Sequence, residues 1–217
     1  MLKNLLIGVL IIGNLGIAYA QYAETDWKDR DNWMDVQQIF NYVGIEEGSM
    51  VADIGCHEGY ISFHLSETVG NKGKVFAVDV REDRLETLNE IARKKGKKNI
   101  ETILGDYDNP HLPKNSLDVV LIIDAYHEIR EYKEVLSHIK KALKPNGRIL
   151  ILEKLKSEII GKSRSEQTTA HSLSSDYVED ELLEAGFVDT QFYDKLGYWE
   201  NNKEKKIWII VGILSSS

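Results

Sequence analysis

The sequence predicts an α/β fold: a mostly parallel sheet of seven strands, helices on both faces, and an antiparallel last strand. Three observations carry this. From residue 50 onward, short apolar β-branched runs alternate with amphipathic helical stretches, the pattern of a parallel sheet covered on both sides. The final two apolar runs have no helix between them; a parallel pair needs a crossover of about a dozen residues, so these two must pair antiparallel. The chain has 217 residues, 42% hydrophobic and 29% charged, which suits one packed domain with a short extension and excludes global disorder.

The elements follow in order. Residues 22–33 are polar and dotted with aromatics, without clear periodicity. Val36, Ile39, Phe40 and Val43 recur at helical spacing, and Gly44 closes that helix. Residues 51–54 form the first strand and 60–68 a helix; 74–80 form the second strand, followed by a helix through Leu85, Leu88 and Ile91. The third strand is 100–104 and the fourth 117–123, the most apolar and therefore central. Tyr132, Leu136, Ile139 and Leu143 mark a helix that stops at Pro145-Asn146-Gly147, before a fifth strand at 148–153. A helix over 174–185 ends at Gly186, and strands at 187–193 and 206–214 finish the chain. No repeat or interdomain linker interrupts this, so residues 21–217 read as one domain.

The first twenty residues stand apart. Lys3 supplies a positive start, 5–15 an apolar stretch, and Ala18-Tyr19-Ala20 a small-x-small site before Gln21. That is the pattern of a cleaved signal peptide, 1–20, and places the chain in the periplasm or outside the cell. The apolar run falls short of the roughly 20 residues that a stable membrane span requires; an uncleaved membrane anchor is the alternative. The single cysteine, Cys56, leaves no intrachain disulfide and no lipidated cysteine behind the leader. The net charge is −8, and setting Lys3 aside leaves −9. Such a balance repels phosphate backbones and argues against a nucleic-acid partner. The basic run Lys94-Lys95-Gly96-Lys97-Lys98 reads as a solvated helix C-terminus.

The chemistry gathers where strands end. In open α/β sheets, ligands bind beyond the C-terminal ends of the strands, where strand order reverses. The first strand ends in Asp53-Ile54-Gly55, and the next helix starts near Gly59. Gly55 and Gly59 allow a tight turn and close approach to a ligand. The loop is neither a dinucleotide fingerprint, because His57 and Tyr60 stand where glycines belong, nor a P-loop, because no Gly-Lys-Ser/Thr follows. The second strand ends in Asp79-Val80, whose carboxylate suits a ribose diol. The third ends in Gly105-Asp106-Tyr107, an acid and an aromatic suited to an adenine, and the fourth in Asp124. A single strand-end Asp most often caps a turn or helix; four in succession around one crevice read as a ligand site.

The series Val51-Ala52-Asp53-Ile54-Gly55-Cys56-His57-Glu58-Gly59, Val78-Asp79, Gly105-Asp106 and Leu143-Lys144-Pro145-Asn146-Gly147-Arg148-Ile149-Leu150 resembles class I S-adenosylmethionine-dependent methyltransferases, over roughly 31–217. Arg30-Asp31-Asn32-Trp33, Asp124-Ala125-Tyr126-His127 and His171-Ser172-Leu173-Ser174 resemble a bacterial subgroup of that superfamily that carries a signal peptide. The resemblance implies a Rossmann-like sheet of seven strands with the last inserted antiparallel, and S-adenosyl-L-methionine as cofactor. It assigns Asp53, Gly55, His57 and Gly59 to the cofactor's methionine part, Asp79 with Val80 to the ribose, Asp106 with Tyr107 to the adenine, and Asp124 to the same crevice. One departure stands out. The family loop is D/E-x-G-x-G-x-G, and His57 replaces its middle glycine; the side chain either weakens binding or contacts the cofactor's carboxylate.

Methyl transfer from a sulfonium is an in-line displacement, so alignment and desolvation are the protein's main tasks. A base is needed only for a protonated acceptor; His127, Glu128 and His171 are the candidates, with Tyr126 as a positioning group. Scattered histidines without a paired cysteine give no zinc pattern, although Asp124, His127, Glu128 and Glu153 include possible ligands for a metal-dependent hydroxyl transfer. Asp124-Ala125-Tyr126-His127 stands where nucleic-acid amine methyltransferases carry Asn/Asp-Pro-Pro-Tyr, which with the acidic charge points to a small-molecule or exported acceptor. Trp27, Arg30 and Trp33, with Tyr198 and Trp199, form either a lid over the cofactor or a cap on the core. A non-catalytic module that binds S-adenosylmethionine or S-adenosylhomocysteine is the rival to an enzyme.

Overall fold

The computed structural model describes residues 23–215. The expected leader, 1–20, lies outside them. Among the described residues no helix is long and apolar enough to cross a membrane.

A short helix α1 (Trp27–Asp31) and α2 (Val36–Val43) precede the sheet. Asp35 caps α2 by accepting from the Gln38 N–H at 2.9 Å, and Gly44 ends it in the left-handed region at φ 66°. The chain continues through β1 (Met50–Ile54), α3 (Tyr60–Val69), β2 (Lys74–Asp79), α4 (Glu82–Lys94), β3 (Ile100–Leu104), β4 (Leu117–Ile123), α5 (Tyr132–Ala142), β5 (Leu143–Lys156), α6 (Arg164–Thr169), α7 (Ser175–Glu184), β6 (Phe187–Tyr193) and β7 (Lys205–Leu214).

The strand order is β3-β2-β1-β4-β5-β7-β6. The first five pair parallel, while β7 pairs antiparallel to β5 and to β6. The seven-stranded, mostly parallel architecture is therefore as expected, with β7 inserted between β5 and β6. β4, the most apolar run, holds the middle position. Strand order reverses between β1 and β4, so the crevice expected to bind a ligand opens above those two strands.

Alternation along the strands sends side chains to two cores. Val119, Leu121 and Ile123 join Ile39, Phe40 and Leu65 of α2 and α3 on one face. Val120 and Ile122 join Leu136, Ile139, Val178 and Leu182 of α5 and α7 on the other.

The structure departs from expectation at three places. β5 begins at Leu143, and the turn expected at 145–147 is an irregularity inside it: pairing jumps from Leu117↔Leu143 to Val119↔Arg148, and Asn146 adopts φ 63°. α6 carries too few apolar residues to show a period, yet Ser163 and Glu166 form a capping box at its start. α1 and the turn before it lie in a segment whose partners are distant in sequence.

Candidate active site

The loop after β1 owes its shape to its glycines. Gly55 sits at φ 77° and donates to the Val78 carbonyl at 2.8 Å; a Cβ there would lie 2.6 Å from the Cβ of Ala125, just past β4. Gly59, at φ 97°, opens α3, and a Cβ there would press on Leu88 of α4 at 2.9 Å. His57 also adopts a left-handed conformation, φ 50°, a region uncommon for residues other than glycine, though His, Asn and Asp enter it more often than the rest. Its backbone N–H donates to Oδ2 of Asp79 at 2.9 Å, and the Arg81 N–H donates to Oδ1 at 3.0 Å. The imidazole is half-buried; burial first, then the nearby Arg84 guanidinium, holds its pKa below the ordinary value. Arg84 itself is paired with Glu58 at 2.6 Å.

Asp53 lies beneath this loop, 2% exposed, and accepts from the Ser62 hydroxyl at 2.6 Å. Burial raises its pKa to about 6, against the Ser62 hydrogen bond and the Arg30 charge, which pull it down. Cys56 is buried too, and burial pushes its thiol well up, so it stays protonated.

Beside Asp79 the rim turns apolar. Val80, Leu104 and Tyr107 are exposed at the ends of β2 and β3. Large apolar side chains exposed together mark ligand or partner surface more often than a bare solvent face. Asp106 is exposed and faces His111, with Oδ2 2.8 Å from Nε2. A carboxylate next to an apolar shelf suits a nucleoside, whose sugar donates hydrogen bonds and whose base offers a flat face. On this ground the residues present fit an adenosyl group.

The exit of β4 builds the other half. Asp124, at φ 54°, forms a buried ion pair with Lys154 of β5. The Lys154 ammonium also lies 4.7 Å from the Trp199 ring, and the Arg30 guanidinium 5.2 Å from that ring. His127 occupies a 3-10 turn, Tyr126–Glu128. Its backbone N–H donates to Oε1 of the fully buried Glu153 at 3.0 Å, and its Nδ1 lies 2.9 Å from both Glu153 oxygens. Burial lowers the pKa of His127, but the Glu153 carboxylate, by charge and hydrogen bond, outweighs it and lifts the ring above its ordinary value. With Nδ1 committed to Glu153, Nε2 faces outward, 3.8 Å from Oε1 of Glu128. The same oxygen lies 3.5 Å from Nδ1 of the exposed His171, and the two imidazoles stand at 87° with centroids 5.7 Å apart.

The fold thus brings His127, Glu128 and His171 together, and it ties Gly55, His57, Gly59 and Asp79 into one loop with Asp53 below and Val80 alongside. Asp106 and Tyr107 stand in solvent at the far edge. Tyr126, expected as a positioning group, turns into the core instead: its hydroxyl donates to Glu181 at 2.8 Å, and burial raises its pKa well above the ordinary value. Lys154 was not anticipated. Its only trace in the sequence is a Glu-Lys pair directly after the apolar run 149–152.

The aromatic N-terminal segment packs as a cap. Trp27 meets Phe63 at 5.3 Å, Trp33 meets Trp199 at 4.7 Å, and Arg30, 5% exposed, stacks over Tyr60 at 4.4 Å. The Glu24 N–H reaches Glu58 of the loop at 3.1 Å. An open hollow of about 810 Å³ lies between this segment and the Leu196–Asn201 stretch, lined by Asp31, Trp33, Phe40, His64 and Tyr198 among others. None of the strand-end acids lines it, so the strand ends remain the place for chemistry.

Comparison with known proteins identifies a family and a shared fold. A sequence profile described as a methyltransferase domain matches residues 45–207. A demethylmenaquinone methyltransferase of Lactococcus lactis subsp. lactis is 34% identical over 127 residues, 58% of this chain and 50% of that protein. One from Staphylococcus epidermidis is 29% identical over 117 residues, 54% of this chain and 48% of that protein. The chain thus spans about half the length of the curated relatives it matches. Among solved structures, a SAM-dependent methyltransferase from Aquifex aeolicus superposes with a TM-score of 0.72 at 25% identity, covering 86% of this chain and 93% of that one. A Haemonchus contortus phosphoethanolamine N-methyltransferase, solved with S-adenosyl-L-methionine, shares the fold with a TM-score of 0.69 at 16% identity, covering 91% and 59%.

Proposed function

Because the chain belongs to the methyltransferase-domain family, we propose that it transfers a methyl group from S-adenosyl-L-methionine to a small-molecule acceptor. The observation that carries this is the fastening of the His57 turn, which follows β1, to the Asp79 carboxylate at the end of β2, next to the β1–β4 reversal of strand order.

Bound there, S-adenosyl-L-methionine supplies a methyl group on a sulfonium, which is already an activated leaving group. The chain's own work is to hold and align. Each Asp79 oxygen accepts one backbone N–H and keeps a lone pair for a ribose hydroxyl. Val80, Leu104 and Tyr107 offer the base an apolar shelf, with Asp106 at its edge. Gly55 and Gly59 keep side chains out of the turn, and Asp53 braces α3 beneath it through Ser62. Asp124 is fixed by Lys154 and shapes the floor between the loop and His127. On the acceptor side, Nε2 of His127, the Glu128 carboxylate and His171 are the groups that meet an arriving acceptor and any proton it must lose.

The names of the curated relatives make a quinone-type aromatic the first acceptor to try. Calorimetry with S-adenosyl-L-methionine and its demethylated product tests the cofactor reading, and labelled cofactor with candidate acceptors tests transfer. Absence of binding to the full-length protein overturns the proposal. We propose further that residues 1–20 export domain 21–217, with the uncleaved anchor as the alternative. A phosphatase fused to residues 1–25 reports on this, and an inactive fusion ends the export reading.

A further inference from the structure

We infer that His127, Glu128 and His171 form a binding site for a divalent first-row transition ion, with Glu153 as the residue that aims His127 at it. The ligand atoms of the three side chains lie within 4.8 Å of one another. The individual gaps to Oε1 of Glu128 are 3.8 Å from His127 Nε2 and 3.5 Å from His171 Nδ1. Nitrogen and oxygen ligands about 2.0–2.2 Å from one ion sit roughly 3–3.5 Å apart, so small side-chain rotations close the set. Such a site lies outside the cofactor loop and takes no residue from it.

A second observation, independent of the spacing, points to a ligand. Histidines that bind metals almost always give their other ring N–H to a carboxylate, a backbone carbonyl or water, which fixes the tautomer and turns the ring. Glu153 does this to His127: it is fully buried, and both its oxygens lie 2.9 Å from Nδ1. In the neutral ring, with the proton on Nδ1, this leaves the Nε2 lone pair on the side of Glu128 and His171. Burying a carboxylate is costly unless it is paired and hydrogen-bonded, and Glu153 commits its oxygens to the backbone N–H and Nδ1 of the likewise buried His127, which fixes that ring in one orientation.

A competing grouping, Asp124 with His127 and Glu153, is also close. There Asp124 is committed to Lys154 and Glu153 to Nδ1 of His127. Those residues are the support, and the outer three are the ligands. Two imidazoles and one carboxylate suit zinc, manganese or ferrous iron over calcium or magnesium. They leave coordination positions open on the side where the proposed function has its acceptor. An oxygen-bearing acceptor is the chemical class that would complete the shell.

The test uses full-length, chelator-stripped protein and Zn²⁺ alone, read by calorimetry, so it does not depend on methyl transfer. The expected result is saturable binding of one ion, weakened at least tenfold by His171→Ala and by Glu128→Gln. Glu153→Gln, which touches no ion, should weaken it about 10–100-fold. A thermal melt of each variant separates lost ligands from lost fold, and His138→Ala serves as a control with unchanged binding. Absence of saturable binding, or binding that His171→Ala and Glu128→Gln leave intact, overturns the site. The site rests on the acceptor side of the proposed function only for its role: protein that binds Zn²⁺ but not S-adenosyl-L-methionine refutes that function and keeps the metal site, and the reverse result does the opposite.

Discussion

The backbone N–H of His57 donates to Oδ2 of Asp79 at 2.9 Å, fastening the turn after β1 to the end of β2. One carboxylate thereby holds the loop and presents the remaining lone pairs at the lip. Asp79→Asn keeps the shape and removes the charge. A hydrogen bond to a charged group contributes about 1.5–3 kcal/mol, so S-adenosyl-L-methionine should bind roughly 10–100-fold more weakly. Calorimetry reads this directly, and unchanged affinity would remove Asp79 from the site.

Gly55 is a prediction about packing. Its φ of 77° and the 2.6 Å that would separate an added Cβ from that of Ala125 act together. Gly55→Ala should destabilise the fold by about 2–4 kcal/mol, from left-handed strain plus overpacking. Adding Ala125→Gly removes the clash but not the strain, so the double variant should recover part of the loss. Urea unfolding of all four proteins gives the coupling; strictly additive losses would show that the two sites do not touch.

Tyr126 allows a test of what is structural near the site. Its hydroxyl donates to Glu181, which also takes Arg164 at 2.5 Å. Tyr126→Phe should cost about 1 kcal/mol of stability and leave cofactor affinity as it was. A variant with wild-type melting but weakened binding would return Tyr126 to the positioning role that the sequence suggested.

How much of this was legible follows from the range of the interactions involved. Strand runs such as 117–123 announce themselves because burial on both faces demands continuous apolar residues. Gly44 and Gly186 announce helix ends because their left-handed φ, 66° and 87°, suits glycine. The Asp53 loop and Asp79 were readable because strand ends and glycines are local signals. Other features were not. β5 absorbs the turn at 145–147 through a pairing shift with β4 that no local pattern encodes. The Lys154–Asp124 pair and the Glu153 brace on His127 join residues 30 and 26 positions apart. α6 lacks a period but could have been found from Ser163 and Glu166, whose spacing is a capping box.

The burial of Asp53 makes a prediction about pH. Its folded pKa is about 6 against 3.8 for the free side chain, with burial the main cause. The folded state therefore binds this proton more tightly than the unfolded chain, and ionisation of Asp53 works against folding. The stabilisation from its protonation is present below about pH 4 and is lost as pH rises through 6. At 1.36 kcal/mol per unit, the loss from this one group is about 3 kcal/mol by pH 7. Asp53→Asn keeps an oxygen to accept from Ser62 and has no charge to desolvate. It should be more stable than the wild type at pH 7.5, by up to about 3 kcal/mol, and gain little at pH 4. Other titrating groups change with pH too, but they are common to both proteins and cancel in the difference between them. Urea unfolding of the pair at the two pH values measures that difference; curves that stay parallel across the window would mean that Asp53 is not ionised at a cost in the folded protein.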